Sequence, residues 1–276
     1  MKITIVIAVY NGATTLRRCL DSVAAQTYQN RELIVVDGGS ADGTVEILND
    51  LTRGIDYWVS EPDKGVYDAW NKALAHATGD WIIFLGADDS FYGPDVLQQM
   101  SVALQDAYPA YRVVYGRLAQ VDRHGETIRL LGNPWSLAGP SFSTYMTLPH
   151  PATFNHRTLF AEFGAFDTGF AIAGDYEFLL RELPARPALF VADVIVTAMQ
   201  VGGLSATPAN NLKMLAESRR ARAMRGVSSP SLYYPLAYAK NYVRMAIEGV
   251  LGRRLAGHCF DALRRATGRR PYWTRL

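Results

Sequence analysis

The sequence predicts an α/β fold built on a mostly parallel sheet, with a helical extension at its C-terminal end. Three observations carry this. Short β-branched apolar runs alternate with amphipathic helical stretches over the first hundred residues, the pattern of repeated βαβ units. Several of the runs end in acids or in a Gly-rich turn, as strands do where they deliver side chains to a sheet edge. Beyond Pro208 the alternation stops and only helical periodicity remains.

Taken in order, Lys2 to Asn11 reads as a central parallel strand, apolar on both faces. Gly12 breaks it, and Leu16, Cys19, Leu20 and Val23 then form a helical stripe. Glu32 to Asp37 is the next strand, followed by the loop Gly38 to Thr44 and a helix carrying Val45, Ile47, Leu48 and Leu51. Asp56 to Ser60 is a short strand. A helix from Val66 to Ala77 follows, with Gly79 expected as its C-terminal cap. The fourth strand ends in Gly86-Ala87-Asp88-Asp89-Ser90.

Past Leu104, Arg112–Gly116 and Leu118–Asp122 read as two short strands, with a hairpin turn at His124-Gly125-Glu126 back into Thr127–Leu131. Gly132 to Pro149, rich in Pro, Gly and Ser, is expected as a mobile loop over a site. His150 to Phe154 reads as extended and Arg157 to Phe163 as a helix. Asp175 falls at a helix start, with Tyr176, Phe178, Leu179 and Leu180 in the core, and Ala188 to Thr197 is a last strand. The domain reading is one unit over 1–207, with a first half 1–104 and a second half 105–207, and a basic helical extension over 208–276.

Composition bounds the chemistry. With 49% hydrophobic and 20% charged residues, the 276-residue chain is ordinary globular protein with enough apolar surface for a sizeable core. Cys19 and Cys259 are far apart within helical patterns, which argues against a disulfide framework or thiolate metal site and fits a reducing cytosol. Ile3–Val9 is strand-length with no cleavage site after it, so no signal peptide is expected, and no apolar run reaches the ~18 residues of a membrane span. The expected location is the cytoplasm.

The net charge of +2 hides an asymmetry. Leu212 to Leu276 holds 14 Lys/Arg against 3 Asp/Glu, a balance of +11, and the preceding part carries the compensating −9. An acidic body with a basic tail suggests an anionic partner for the tail. Leu236, Val243, Ile247, Val250 and Leu251 share one helical face there, and Arg253-Arg254, Arg264-Arg265 and Arg269-Arg270 lie close by. A membrane-surface element and a helix packed on the domain by its apolar stripe both fit this pattern. Nucleic acid is not expected, since no nucleic-acid motif accompanies the charge.

Asp88-Asp89 is the sharpest chemical signal. Two adjacent carboxylates at a strand end repel each other unless a cation lies between them and something anionic. Oxygen ligands of this kind suit Mg²⁺ or Mn²⁺ completed by substrate phosphates. The alternative is a solvated turn capping the helix after Gly93-Pro94. Neither G-x-G-x-x-G nor G-x-x-x-x-G-K-[ST] occurs, which argues against dinucleotide oxidoreductases and P-loop NTPases.

Five segments together resemble the family-2 glycosyltransferases, nucleotide-sugar enzymes of the GT-A fold. They are Ile5 to Asn11, ELIVVDGGSADGT over Glu32–Thr44, EPDKGVYDAWNKA over Glu61–Ala73, DWIIFLGADDS over Asp80–Ser90, and GAFDTGFAIAGDYEFLLR over Gly164–Arg181. Within the family, the EPDKGVYDAWN and LGADDS segments resemble bacterial enzymes that glycosylate cell-envelope glycans or glycolipids.

The resemblance implies a Rossmann-like α/β/α nucleotide-binding sandwich and an inverting, metal-dependent sugar transfer. Val9 and Tyr10 would touch the base and Asp37 the uracil or ribose. Many members carry a second Asp directly after it, where this chain has Gly38. Asp63 would orient the donor and Lys64 offset phosphate charge. Asp89 would be a metal ligand, Asp88 would face ribose or metal, and Asp175 would be the general base. His150 is a third ligand, a donor to acceptor or phosphate, or a structural histidine. Trp135 and Tyr145 are candidates to stack on sugar, whereas Trp70 reads better as core.

The implied partners are a UDP-, GDP- or dTDP-sugar, a glycan or lipid-linked acceptor, and an anionic membrane surface on the inner face of the cytoplasmic membrane. Processive synthases fit less well, because the chain lacks membrane spans and a Q-x-x-R-W element. Sugar-nucleotide pyrophosphorylases fit less well because Ala8-Val9-Tyr10-Asn11-Gly12 replaces their Gly-rich loop. The alternative from another class is a catalytically silent nucleotide-sugar-binding or scaffold protein at the membrane surface.

Overall fold

A computed structural model describes residues 1–51, 54–202, 207–227 and 231–275. Strands β1 (Ile3–Val9), β2 (Arg31–Asp37), β3 (Tyr57–Ser60) and β4 (Trp81–Gly86) form the parallel half of one sheet, in the order β3-β2-β1-β4. The remaining strands extend it: β5 (Asp89–Phe91), β6 (Val113–Val121), β7 (Thr127–Leu131), β8 (Thr153–His156) and β9 (Leu189–Gln200). There β8 runs antiparallel to β4 and β6, β9 parallel to β6, and β5 antiparallel to β9.

Helices cover both faces, and the two-residue period of β1 shows how. Ile3, Ile5, Ile7 and Val9 pack with α1 (Leu16–Ala24), α2 (Thr44–Asp50) and α4 (Val96–Ala107). Val6, on the other face, shares a core with α3 (Val66–Leu74), α6 (Arg157–Phe163) and α7 (Gly174–Leu179). This is the expected α/β/α sandwich. Cys19 is buried in it and Cys259 is exposed.

Several local expectations are corrected. The helix after Gly65 stops at Leu74 with Ala75 as its cap. Gly79 is glycine for another reason: a methyl there would lie 2.5 Å from Thr4 Oγ1 and 2.7 Å from Thr4 N, so the residue permits close approach to β1. The strands expected over 112–116 and 118–122 are one strand, β6. Gly116 marks an irregularity in its pairing with β9, where a methyl would meet Val194 O at 2.8 Å.

The stretch 132–149 carries helix α5 (Trp135–Phe142), with Ala138, Phe142 and Leu148 buried. Its end is pinned from elsewhere: Tyr176 Oη donates to Phe142 O (2.8 Å), Arg222 Nε to Ser143 O (2.7 Å) and Tyr234 Oη to Thr144 O (2.7 Å). Those partners lie up to 90 residues away, which is why local composition suggested a mobile loop. Residues 150–152 form a 3-10 turn rather than extended chain.

The C-terminal extension comprises α8 (Pro208–Met224) and α9 (Tyr233–Ala266), the latter interrupted at Gly252 (φ 71°, ψ 157°). The apolar stripe is not what docks α9. Leu236 is 67% exposed, Val243 58% and Val250 83%, while the buried residues of the helix are Tyr234, Ala256, Gly257 and Asp261. Asp261 then holds the last turn: its Oδ1 accepts from the N–H of Tyr272 (2.7 Å) and Trp273 (3.0 Å), and its Oδ2 from Thr274 N–H (2.8 Å). No helix among the described residues is long and apolar enough to cross a membrane.

Candidate functional site

Strands β1, β2 and β4 are parallel neighbours, so their C-terminal ends reach one edge of the sheet. A cavity of about 430 Å³ opens there, lined by Asp88, Asp89, His150 and Asp175 among others. The structure therefore brings together four residues that lie up to 87 positions apart in the chain.

The apolar run of β4 ends at Gly86, where the chain turns and β5 begins with Asp89. Gly86 is what lets the two carboxylates fold back over the strand end, since a methyl there would lie 2.7 Å from Asp88 Oδ1 and 3.1 Å from Asp89 Oδ2. The turn is braced by α1: Arg18 Nη2 donates to Asp88 O (2.6 Å) and to Gln200 Oε1 (3.0 Å). Arg18 carried no signal in the sequence beyond its helical position.

Asp89 is only 4% exposed. Its Oδ2 accepts from Gly86 N–H (3.2 Å), and its Oδ1 is buried with no hydrogen-bond partner among the described residues. Burial first, and the Asp88 carboxylate second, push the Asp89 carboxyl up to about 8. A buried acid with an orphaned oxygen beside a second carboxylate is a donor set that suits a hard divalent cation. Among the described residues no three His, Cys, Asp or Glu side chains converge to hold a metal on their own. Two carboxylates completed by substrate phosphates remain the arrangement that fits.

Asp175 lies in the first turn of α7, half-buried, with Oδ1 accepting from Tyr176 N–H (2.8 Å). The Tyr67 hydroxyl stands 3.2 Å from the same oxygen and donates to Ile172 O (2.7 Å). Burial, with Asp175 adding to it, raises Tyr67 well above the ordinary phenol value, so it remains a neutral donor. Gly174 makes room for this ring, since a methyl there would meet Tyr67 at 2.8 Å.

The segment before Asp175 is fixed by the C-terminal extension. Glu217 of α8 accepts from the backbone N–H of Ala171 (3.1 Å), Ile172 (2.8 Å) and Ala173 (2.9 Å). Glu177 of α7, itself fully buried, pairs with Arg181 and with Arg225 just past α8. Sequence reasoning missed Glu217, because an acid in a basic helix reads as surface.

His150 lines the cavity, stacked 5.1 Å from Trp70. Burial lowers its imidazole from the ordinary value against the opposing pull of Asp175. Trp70 packs among Phe84, Phe166 and Tyr67, yet it also lines the cavity, and its Nε1 is buried without a partner among the described residues. Trp135 packs on Phe142 and Tyr145 on Tyr233 (4.5 Å), and neither lines the cavity.

The expected donor-contacting residues occupy the adjoining edge outside this cavity. Val9 is buried and Tyr10 is 68% exposed. Asp37 is fully buried: its Oδ2 accepts from Gly39 N–H (3.1 Å), Ser40 N–H (2.9 Å) and Ser60 Oγ (2.6 Å). Asp63 accepts from Gly65 N–H (2.8 Å). Lys64 is exposed, and it is Lys72 that pairs with Glu61 (2.8 Å). Of the stretch 132–149, expected as a loop over the site, Trp135–Phe142 is α5.

The sequence model of Glycosyl transferase family 2 matches residues 4–170. An uncharacterised glycosyltransferase of Mycobacterium tuberculosis is 40% identical over 183 residues, 65% of this chain and 68% of that protein. A PGL/p-HBAD biosynthesis glycosyltransferase of Mycobacterium bovis is 34% identical over 224 residues, 79% of this chain and 85% of the relative. Among solved structures, S. aureus TarS 1-349 in complex with UDP superposes with a TM-score of 0.63 at 19% identity, over 88% of this chain and 71% of that one. The mannosyltransferase PcManGT from Pyrobaculum calidifontis, in complex with GDP-Man and Mn²⁺, superposes with a TM-score of 0.61 at 21% identity, over 99% of this chain and 83% of that one.

Proposed function

Because this chain belongs to glycosyl transferase family 2, and is an enzyme of that kind, we propose that it transfers a sugar from a nucleotide-diphosphate donor to an acceptor hydroxyl with inversion. The observation that carries the reading is the buried Asp89 Oδ1, without a hydrogen-bond partner among the described residues, on a residue that lines one cavity with Asp88 and Asp175.

Asp88 and Asp89 would hold a Mn²⁺ or Mg²⁺ ion, which when bound supplies positive charge for the departing diphosphate. Val9, Tyr10, Asp37, Asp63 and Lys64 at the neighbouring edge would position the nucleotide. Asp175 accepts the proton of the acceptor hydroxyl, oriented by Tyr67. His150, kept neutral by burial, offers a hydrogen bond to acceptor or phosphate. The carboxylates lining the cavity are Asp88, Asp89 and Asp175. With the first two assigned to the cation, a single displacement with one base accounts for all three.

The relative named for PGL/p-HBAD biosynthesis supports a cell-envelope acceptor, and the bound UDP and GDP-Man of the two neighbours support a nucleotide donor. The exposed apolar stripe of α9 beside its arginines supports a peripheral place on the inner face of the cytoplasmic membrane. Val243→Ser/Val250→Ser should weaken binding to anionic vesicles; unchanged binding refutes the membrane role.

The deciding experiment is a thermal-shift and turnover screen of UDP-, GDP- and dTDP-sugars, each with and without Mn²⁺ or Mg²⁺. One donor should stabilise the protein only with metal and should release its nucleotide on turnover. Equal stabilisation with and without metal would sink the cation reading.

A further inference from the structure

A second cavity, of about 610 Å³, adjoins the site and shares Gly202, Arg244 and Trp273 with it. Among the described residues its charged lining is one-sided: Arg123, Arg244, Arg253 and Arg254 against one acid, Glu248. That acid is already engaged, with Arg244 Nε donating to Glu248 Oε1 (2.6 Å). Arg253 and Arg254 have no hydrogen-bond or ion-pair partner among the described residues.

Successive residues of a regular helix point about 100° apart. Here the break at Gly252 (φ 71°) immediately precedes the pair, and both arginines line one cavity. Between the two cavities stands the C-terminal turn held by Asp261. Arg244 lies 4.3 Å over the Trp273 ring, and Arg129, which lines the site cavity, lies 5.3 Å over Tyr272.

Neighbouring guanidinium groups such as those of Arg253 and Arg254, with no counter-charge among the described residues, repel one another, and phosphate is the anion whose geometry matches their forked donors. We propose that this cavity binds a phosphate group carried by the acceptor. The proposal rests on the glycosyltransferase reading above and specifies its acceptor.

The lining of the two cavities assigns the phosphate to the acceptor rather than the donor. Asp88, Asp89 and Asp175 line the site cavity, and none of them lines the arginine cavity, while Arg253 and Arg254 line the second cavity and not the first. With the donor diphosphate placed at the aspartate pair, a phosphate bound between these arginines is a separate group.

Two kinds of acceptor carry such a group, a prenyl phosphate lipid and a soluble phosphorylated glycan. Leu251 and Leu255, 42% and 62% exposed, flank the arginine pair and give a lipid chain a path outward.

The test titrates the full chain with farnesyl phosphate and with glucose 6-phosphate, by calorimetry. Wild type should bind at least one of them, and Arg253→Gln/Arg254→Gln should weaken that binding at least tenfold. If farnesyl phosphate binds at least tenfold tighter, and Leu251→Ser/Leu255→Ser removes the advantage, the source is lipid. Equal binding of both probes, insensitive to the leucines, makes the source a soluble phosphorylated glycan. Binding of neither probe, or no effect of the arginine pair, overturns the proposal. A parallel titration with nucleoside diphosphate and Mn²⁺ reports on the donor site alone. Its failure in wild type would remove the glycosyl-transfer reading, whereas its survival in Arg253→Gln/Arg254→Gln shows that the variant is folded.

Discussion

The Asp63 carboxylate fills the space that a side chain on residue 38 would need: a methyl there would stand 2.5 Å from Asp63 Oδ2. The chain thus has an acid beside the end of β2 although it lacks one at position 38 itself. Gly38→Asp would press two carboxylates together, and nucleotide affinity should fall about tenfold, roughly 1.4 kcal/mol. Gly38→Asp/Asp63→Gly should regain most of it, because the swap restores one acid to one space. Titration with nucleoside diphosphate and metal decides; a double variant no better than the single one refutes the exchange.

Removing the aspartate at the cation should separate binding from chemistry. A nucleoside diphosphate at ~100 times its dissociation constant should stabilise the wild type by ~2.7 kcal/mol in the presence of metal. Asp89→Asn, which keeps the buried shape and drops the charge, should abolish the metal-dependent part. Asp175→Asn should keep it while turnover falls ~10²–10⁴-fold. Normal turnover by Asp175→Asn would show that the base is elsewhere.

Glu217 touches no part of the cavity, so its effect must pass through the backbone it holds. Glu217→Ala frees three N–H groups at Ala171, Ile172 and Ala173 and should cost about 1.5–3 kcal/mol of stability. Because Asp175 follows directly, kcat should drop while the KM for donor stays near wild type. A rise in donor KM with unchanged kcat would contradict this positioning role.

The pH dependence of the C-terminal turn follows from Asp261. Burial alone would raise its carboxyl, but the N–H groups of Tyr272, Thr274 and Trp273 and the Thr274 hydroxyl outweigh that and hold it at about 2. A depressed carboxyl contributes stability that is complete above its unfolded value of about 4 and lost as pH falls through about 2. Fluorescence of Trp273 should therefore shift to the red between pH 4 and 2, and Asp261→Asn should show the released signal already at neutral pH. An Asp261→Asn spectrum like wild type would refute the contact.

Much of the sheet was legible because a buried parallel strand needs an uninterrupted apolar run, and Ile3–Val9, Arg31–Asp37 and Trp81–Gly86 supply one each. The helix starting at Gly174 was equally plain. Glycines misled where their reason was contact rather than conformation. Gly79 reads as a cap and Gly116 as the end of a strand, yet each marks a close approach to chain far away in sequence. Arg18, Tyr67 and Glu217 were unreadable as site residues, because each acts through a partner 45 to 108 positions distant.

What the sequence determined by itself was the order of strands and helices from β1 to β4, the family and the identity of the acids at the strand ends. Those depend on side-chain period and on residue types at short spacing. Tertiary structure alone decided that Asp89 is buried with an oxygen to spare, that α8 steers the loop before Asp175, and that the chain end stands beside the cavity. Each of these depends on which distant surfaces come into contact when the apolar faces are buried, and no local pattern encodes that.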